Sequence, residues 1–276
     1  MSFNLGFIGG GNMSTAIVQG IFKTNTHPPS KIWVSGPRLN NLKHWSDLGT
    51  NVTNKNGEVF CECDVIFLGV KPSMLTAAVS DCLKTLTTTA SCKGVLFVSM
   101  LAGITIADLQ KALKQLSKDV RVIRIMPNTP MTVGEGACLY TPDESVSDDQ
   151  CQMVEKLLRS CGMCERVPEY LINSLGALTG CGPAFVYIII EALADGAVKQ
   201  GVPRDLALRF AAQMVAGSGK MVLQSGKHPG LLKDEVCSPG GSTICGVTAL
   251  EEGKIRSTLI NAVEASTLRN QQIGKK

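Results

Sequence analysis

Residues 4–14 read Asn4-Leu5-Gly6-Phe7-Ile8-Gly9-Gly10-Gly11-Asn12-Met13-Ser14. An apolar run of strand length stops at three glycines, and an amphipathic segment, Asn12–Phe22, begins at once. Strand, glycine turn and helix in that order form the front half of a βαβ unit. The glycines in such a turn have separate uses. Gly9 makes the tight turn, and Gly11 lets backbone approach a pyrophosphate at the helix N-terminus, where Asn12 and Met13 open the first turn. Ser14 stands at the third glycine position and is small enough to keep helix against strand. A glycine-rich turn alone says little. Its place after the first strand, inside a βαβ unit, points to a dinucleotide.

The pattern continues outward. Apolar runs at Asn4–Ile8, Lys31–Ser35, Val65–Leu68, Val95–Ser99 and Val120–Ile125 alternate with helical patterns at Asn12–Phe22, Leu39–Leu48, Ser73–Lys84 and Thr105–Gln115. This predicts an α/β fold, an N-terminal Rossmann-type doubly wound sheet, with ligands at the carboxyl ends of its strands. The second strand ends in Ser35-Gly36-Pro37-Arg38. An NAD site usually places a carboxylate there for the ribose hydroxyls. Here Ser35 can donate to a phosphate, Arg38 can pair with it, and no acidic residue stands by, which favours NADP(H), with NADPH preferred over NADH. Lys71 ends the run Val65–Val70, Pro72 stops it, and the ammonium is read at the ligand edge. Asn128-Thr129-Pro130 reaches the same edge, where it contacts the nicotinamide or closes a turn.

Beyond about Pro168 the strand signal vanishes. Helical patterns at Phe185–Gln200, Leu206–Leu223 and Ile255–Asn270 suggest an all-α second domain, dividing the chain into residues 1–167 and 168–276. Gly180-Cys181-Gly182-Pro183 precedes the first of these helices, with proline near its first turn. Ser238-Pro239-Gly240-Gly241-Ser242-Thr243 lies between the later ones. Consecutive glycine N–H groups, hydroxyls and a nearby helix start make either a carboxylate site or a capped helix start. A bundle this small has little core of its own and is expected to complete it against another subunit.

Composition narrows the function classes. The chain has 276 residues, enough for two domains, with 44% apolar and 18% charged residues, as in globular proteins. The net charge of +4 has no basic run behind it, so nucleic-acid binding has little support. No uninterrupted apolar stretch approaches the ~20 residues of a membrane span, which predicts no membrane association. The first strand pattern begins next to Met1, leaving no room for a leader, and eleven cysteines suggest a reducing compartment. A cytoplasmic location is expected, with mitochondria as the alternative. Cys161-Gly-Met-Cys164 is a lone CxxC, read as core rather than redox chemistry. His27, His44 and His228 are scattered, read as surface or loop residues, and make no metal site.

Taken together, these motifs resemble the pyrroline-5-carboxylate reductase family, from Phe7-Ile8-Gly9 to Asn261-Ala262-Val263-Glu264-Ala265. The most specific pieces are Val70-Lys71-Pro72, Met126-Pro127-Asn128-Thr129-Pro130, Leu178-Thr179-Gly180-Cys181-Gly182-Pro183-Ala184 and Ser238-Pro239-Gly240-Gly241-Ser242-Thr243-Ile244. The resemblance implies hydride transfer from NADPH to the imine carbon of Δ1-pyrroline-5-carboxylate, giving L-proline. It implies that Asn56 lies near the cofactor ribose and that Val70, Lys71 and Pro72 line the nicotinamide side. It further implies that Val236, Ser238, Gly241, Ser242 and Thr243 hold the substrate carboxylate and ring nitrogen. Family members form homodimers through interwoven C-terminal helices, often assembled into decamers, so one site draws on both subunits. Ser14, Thr179 and Cys181 depart from the family pattern, and Cys181 weakens its hydrogen bond because a thiol is a poor donor. Hydride addition is easier to a protonated imine, so Thr243 is the candidate donor near the nitrogen, with Lys71 as electrostatic support. Two rivals stand beside this reading. One is a hydroxyacid dehydrogenase of the same two parts, for which Lys199 and Lys220 lack a comparable setting. The other is a non-catalytic NADP(H) sensor, which needs no second anion loop.

Overall fold

The computed structural model describes residues 3–86 and 94–273. Its strands are β1 (Leu5–Ile8), β2 (Ile32–Ser35), β3 (Asn51–Thr53), β4 (Val65–Leu68), β5 (Leu96–Ser99), β6 (Arg121–Met126), β7 (Gly136–Pro142) and β8 (Gly162–Arg166). They form one sheet in the order β3-β2-β1-β4-β5-β6-β7-β8. The first six run parallel, β7 runs antiparallel to β6, and β8 runs parallel to β7. β1, β4 and β5 are buried along their whole length, which is why they read as unbroken apolar runs. Strand order reverses between β1 and β4, the topological switch point at which such sheets open a ligand crevice.

The helices of this part are α1 (Asn12–Lys23), α2 (Lys43–Asp47), α3 (Asn56–Glu62), α4 (Leu75–Lys84), α5 (Ile106–Leu113), α6 (Asp148–Arg159) and α7 (Glu169–Gly176). Alternate strand residues point to opposite faces and so build two cores. Leu5, Phe7, Phe67 and Val98 pack with Ile17 of α1 and Leu157 of α6. Ile66, Leu68 and Phe97 pack with Val59 of α3, Val79 of α4 and Leu109 of α5. The segment read as one helix over Leu39–Leu48 is a 3-10 turn at Leu39–Leu42 followed by α2.

Three strands were absent from the sequence reading. β3 has three residues, partly covered, and β8 is an edge strand with one buried residue, so neither shows a period. β7 mixes Gly, Thr and a terminal Pro with its apolar residues, which hides a strand that is nonetheless almost wholly buried.

The helical part contains α8 (Gly182–Lys199), α9 (Arg204–Ser225), α10 (Pro229–Val236), α11 (Ser242–Glu252) and α12 (Ile255–Ile273). The chain divides into two compact units. One holds the described residues up to Gly180 and from Ser266 onward, and the other is Cys181–Ala265. The division falls later than residue 167 because α7, though helical, is tied to the sheet. Its Glu169 pairs with Arg124 of β6 at 3.0 Å. Within the second unit α8 and α9 meet through Ala194, Ala207 and Ala211, and these are its buried apolar residues. Tyr187, Ile188, Phe210, Met221 and Leu223 stay exposed on the single chain.

One expectation needs correcting here. The helical run Glu169–Lys199, 31 residues long, is long and apolar enough to cross a membrane by length and composition. Isolated polar residues broke the apolar stretch for the eye without lowering its average. His27, read as a surface or loop residue, lies in a loop but is buried, stacked on Phe3 with ring centroids 4.7 Å apart.

Candidate active site

The glycine turn sits at the switch point. Gly9 has φ +101°, a conformation that side chains disfavour, and a Cβ there would lie 2.8 Å from the Gly69 carbonyl group and 3.0 Å from the Val70 nitrogen. β1 and β4 thus leave the sheet in close contact, with Gly9 N–H donating to the Ser35 carbonyl and Gly69 N–H to the Ile8 carbonyl. Gly11 caps α1 with ordinary backbone angles, no side chain satisfies the first-turn N–H groups, and a Cβ on Gly11 meets nothing within 4 Å. Free N–H groups at a helix N-terminus, open approach and exposed Asn12 beside half-buried Met13 form a pyrophosphate cradle. Ser14 turns inward, and its hydroxyl donates to the Gly9 carbonyl at 2.6 Å, so the serine fastens the turn.

Beside this turn lies a cleft of about 230 Å³ lined by Gly9, Ser35, Gly36, Pro37, Asn54, Asn56, Val70, Met74, Ala77, Ala78 and Asp81. Four sequence-derived cofactor residues, Gly9, Ser35, Asn56 and Val70, therefore converge on one cavity. The Ser35 hydroxyl is buried and donates to Asn56 Oδ1 at 2.7 Å, so this proton is committed to Asn56 and not to a phosphate. Asn56 donates its Nδ2 to the Ala78 carbonyl, and its backbone N–H to Asp81 Oδ2 at 2.9 Å. Asp81 corrects the expectation that no carboxylate stands by. Arg38 is exposed just past Pro37, outside the lining, and makes no ion pair among the described residues. Lys71, exposed, and Pro72, half-buried, lie at the end of β4 without lining the cleft. Met74, Ala77, Ala78 and Asp81 were missed, although their spacing marks one face from the turn into α4. These residues fit a dinucleotide: a cradle at α1 and a cleft toward β2.

Asn128 lies at the same sheet edge but faces inward. It is buried, donates Nδ2 to the Thr179 carbonyl at 3.0 Å, and accepts the Ala137 N–H on Oδ1 at 3.0 Å.

In the helical unit, Gly240 takes φ +67° and Gly241 caps α11 with no side-chain cap bond. The first-turn N–H groups of α11, carried by Ser242 and Thr243, thus receive no side-chain cap from Gly241. Gly241 N–H donates to the Ser238 carbonyl at 3.0 Å, and a Cβ on Gly241 would meet the Ser238 hydroxyl, so this loop closes tightly on itself. Thr243 is half-buried, Ser238 and Ser242 are exposed, and Val236 ends α10 exposed. The second unit by itself therefore carries the residues assigned to the substrate carboxylate on one loop and helix start.

Among the described residues, Cys63, Cys82, Cys138, Cys151, Cys161 and Cys164 are buried packing residues. Cys161 and Cys164 are fully buried, and Cys161 Sγ lies 3.8 Å from the Ala16 carbonyl and 3.7 Å from that of Ile17, in space left by Gly20. Burial pushes the Cys161 thiol up, and contact with Cys164 followed by burial does the same for Cys138. His44 bonds Thr15, and His228 caps α10. Among the described residues no His, Cys, Asp and Glu cluster could hold a metal ion.

Comparison with known proteins follows this division. A family model described as NADP oxidoreductase coenzyme F420-dependent matches residues 4–103, and one described as pyrroline-5-carboxylate reductase dimerisation matches residues 169–273. The chain is 43% identical over 272 residues to pyrroline-5-carboxylate reductase 3 of Danio rerio, covering 99% of this chain and 92% of the relative. A pyrroline-5-carboxylate reductase from Coxiella burnetii superposes with a TM-score of 0.88 at 32% identity, over 100% of both chains. The Plasmodium falciparum pyrroline carboxylate reductase, solved with NADP bound, gives 0.85 at 31% identity over 99% of this chain and 98% of that one. Likeness of this size runs through both units, the glycine cradle and the α11 loop included, and the chain belongs to the pyrroline-5-carboxylate reductase family.

Proposed function

We propose that the chain reduces Δ1-pyrroline-5-carboxylate to L-proline with NADPH. The observation that carries this reading is a pair of helices that begin at a glycine with no side-chain cap. They are α1 after Gly11 in the first unit and α11 after Gly241 in the second. The first cradle suits a pyrophosphate and the second a small carboxylate. When bound, the reduced nicotinamide supplies hydride to the imine carbon. The protein supplies position and electrostatics. Ser242 and Thr243 N–H groups hold the carboxylate, and the Thr243 hydroxyl hydrogen-bonds the ring nitrogen, directly or through water, favouring the protonated imine. Lys71 adds positive charge at the edge where Val70 and Pro72 face the nicotinamide. With the Ser35 hydroxyl given to Asn56, Arg38 carries the preference for NADPH over NADH.

The uncovered apolar faces of the helical unit support a homodimer whose site draws on both subunits, with a decamer as the larger assembly. The ten described cysteines, all unpaired, suit the reducing cytoplasm. The deciding experiment follows NADPH oxidation on addition of pyrroline-5-carboxylate, with NADH in parallel and proline assayed as product. Proline formed faster with NADPH supports the reaction and the role of Arg38. Proline formed faster with NADH removes the Arg38 argument alone. NADPH binding with no proline formed from the imine overturns the proposal.

A further inference from the structure

Three contacts run along one side of β6, at alternate residues that share a face. Arg124, buried, donates to Glu169 Oε1 at 3.0 Å and to Asn173 Oδ1 at 3.2 Å. The Met126 side chain fills the space beside Gly176, where a Cβ would lie 3.0 Å from its terminal methyl. Asn128, extended past the strand end, donates to the Thr179 carbonyl at 3.0 Å. Asn173, Gly176 and Thr179 are spaced by three, so one helical face climbs the strand toward its carboxyl end. The helix there widens into a π turn over Ala177–Cys181, a feature frequent at functional sites. Thr179 also donates its hydroxyl to the Leu175 carbonyl at 3.0 Å.

The π turn includes Gly180. A Cβ there meets nothing within 4 Å, and its φ is not positive. Neither packing within the chain nor backbone conformation calls for glycine, which in a helical run costs about 1 kcal/mol relative to alanine. The glycine leaves open space at the carboxyl edge of the sheet. The glycine turn is at β1 and the cleft opens toward β2, so the nicotinamide half of a bound cofactor would lie over the ends of β4 to β6, where the Asn128–Thr179 bond lies.

We propose that Asn128 is a positioning residue for hydride transfer: through the Thr179 carbonyl it holds the Thr179-Gly180 backbone beside the nicotinamide. Its amide never touches the cofactor. This inference rests on the imine-reductase reading above. Loss of the bond misplaces the turn, which lowers turnover and leaves the cofactor's anchoring at α1 and the cleft intact.

The test uses Asn128→Asp, which keeps an acceptor for Ala137 N–H but sets a carboxylate oxygen against the Thr179 carbonyl. Thr179→Val, which loosens the same turn from its other side, and the double variant complete the set. For Asn128→Asp, kcat should fall about tenfold or more, with the NADPH Kd by fluorescence titration within about twofold of wild type. Thr179→Val should shift kcat in the same direction, and the double variant should be no slower than Asn128→Asp alone. A weaker NADPH Kd with kcat preserved at saturation would mean direct cofactor contact and overturn the inference. Wild-type kcat and KM in Asn128→Asp, or losses that multiply in the double variant, would overturn it equally. Should Asn128→Asp not fold, Thr179→Val decides alone: reduced kcat with unchanged Kd upholds the inference, and wild-type kcat refutes it. Wild-type protein lacking imine reduction is a separate failure, of the proposed function, and is read before any variant is compared.

Discussion

Gly9 and Gly11 are two residues apart in one turn, yet alanine should have opposite consequences at the two positions. At Gly9 the backbone has φ +101°, and a Cβ would lie 2.8 Å from backbone atoms of Gly69 and 3.0 Å from the Val70 nitrogen. Those atoms belong to the exit of β4 and cannot swing aside. The conformation costs an L-residue about 1–3 kcal/mol, and prising packed backbone apart costs about 1–3 kcal/mol more. A loss of about 2–6 kcal/mol lowers the melting temperature of a domain this size by about 10 °C at the middle of the range. Gly11 has φ −77° and nothing within 4 Å of a Cβ. Gly11→Ala should stay within about 0.5 kcal/mol of wild-type stability. Its Cβ instead enters the cradle that the pyrophosphate needs. Losing one charge-assisted N–H bond there costs about 1.5–3 kcal/mol, or about tenfold to hundredfold in NADPH Kd. Thermal melts without cofactor and fluorescence titration with NADPH measure the two effects separately. Gly11→Ala with wild-type NADPH affinity, or Gly9→Ala with a wild-type melt, would refute the assignment of one glycine to the fold and the other to the ligand.

Three further outcomes follow from particular contacts. The Arg124 guanidinium is 2% exposed while its partner Glu169 is 34% exposed. Glu169→Ala therefore strands a buried charge and should cost about 3–5 kcal/mol in chemical denaturation, whereas Arg124→Met leaves a carboxylate that water can reach and should cost less. Equal losses, or the reverse order, would count against this account. Burial lowers the pKa of His27 from 6.5, its ring being packed against Phe3. Folded His27 stays neutral while the unfolded chain takes up a proton, so its contribution is complete above pH 6.5 and declines as pH falls toward the folded value. Denaturation midpoints should therefore drop by up to about 1.4 kcal/mol per pH unit in that window, and His27→Phe should flatten the slope; an unchanged slope removes His27 from the acid response. Thr243→Ala should lower turnover with pyrroline-5-carboxylate while NADPH titrates as in wild type, and unaltered kinetics would end the role given to its hydroxyl.

The sheet centre was legible because burial on both faces turns a strand into a continuous apolar run, as at Val65–Leu68 and Leu96–Ser99. The margins were not. β8 offers one buried residue in five, and the CxxC that drew attention there is packing between β8 and α1. α6 was readable in principle, since Ser147 and Gln150 form a capping box ahead of its apolar stripe. Single residues at strand ends, Gly9, Ser35 and Val70, could be placed together at one cleft because a parallel sheet brings those ends together. Met74, Ala77 and Asp81 share one face from the turn into α4, but their spacing alone does not say which cleft that face lines. The bond partners of Ser35 and Asn128 were hidden for the same reason. Each is a hydrogen bond between residues far apart in the chain, which local sequence does not show.

The helical unit has a different logic, because its residues do not satisfy one another. Alanines at 194, 207 and 211 are its buried core, while Phe210 and Leu223 are 69% and 78% exposed. Ordering each residue costs about 1–2 kcal/mol of backbone entropy, which three alanine side chains cannot offset. Gly196, Gly217, Gly219 and Gly246 lie inside helices with no neighbour in the chain where a Cβ would stand. Glycine weakens a helix, so its repeated use there makes sense only where another backbone comes close. The match to a dimerisation model over residues 169–273 covers this same stretch. The proposed homodimer therefore does more than join two finished enzymes. The loop to which the proposal gives the substrate carboxylate opens α11, inside the unit whose buried core is only these alanines. On the proposed reading, forming the site and forming the assembly are one event, and a substitution that loosens the helical interface should reach substrate turnover before it reaches the dinucleotide fold.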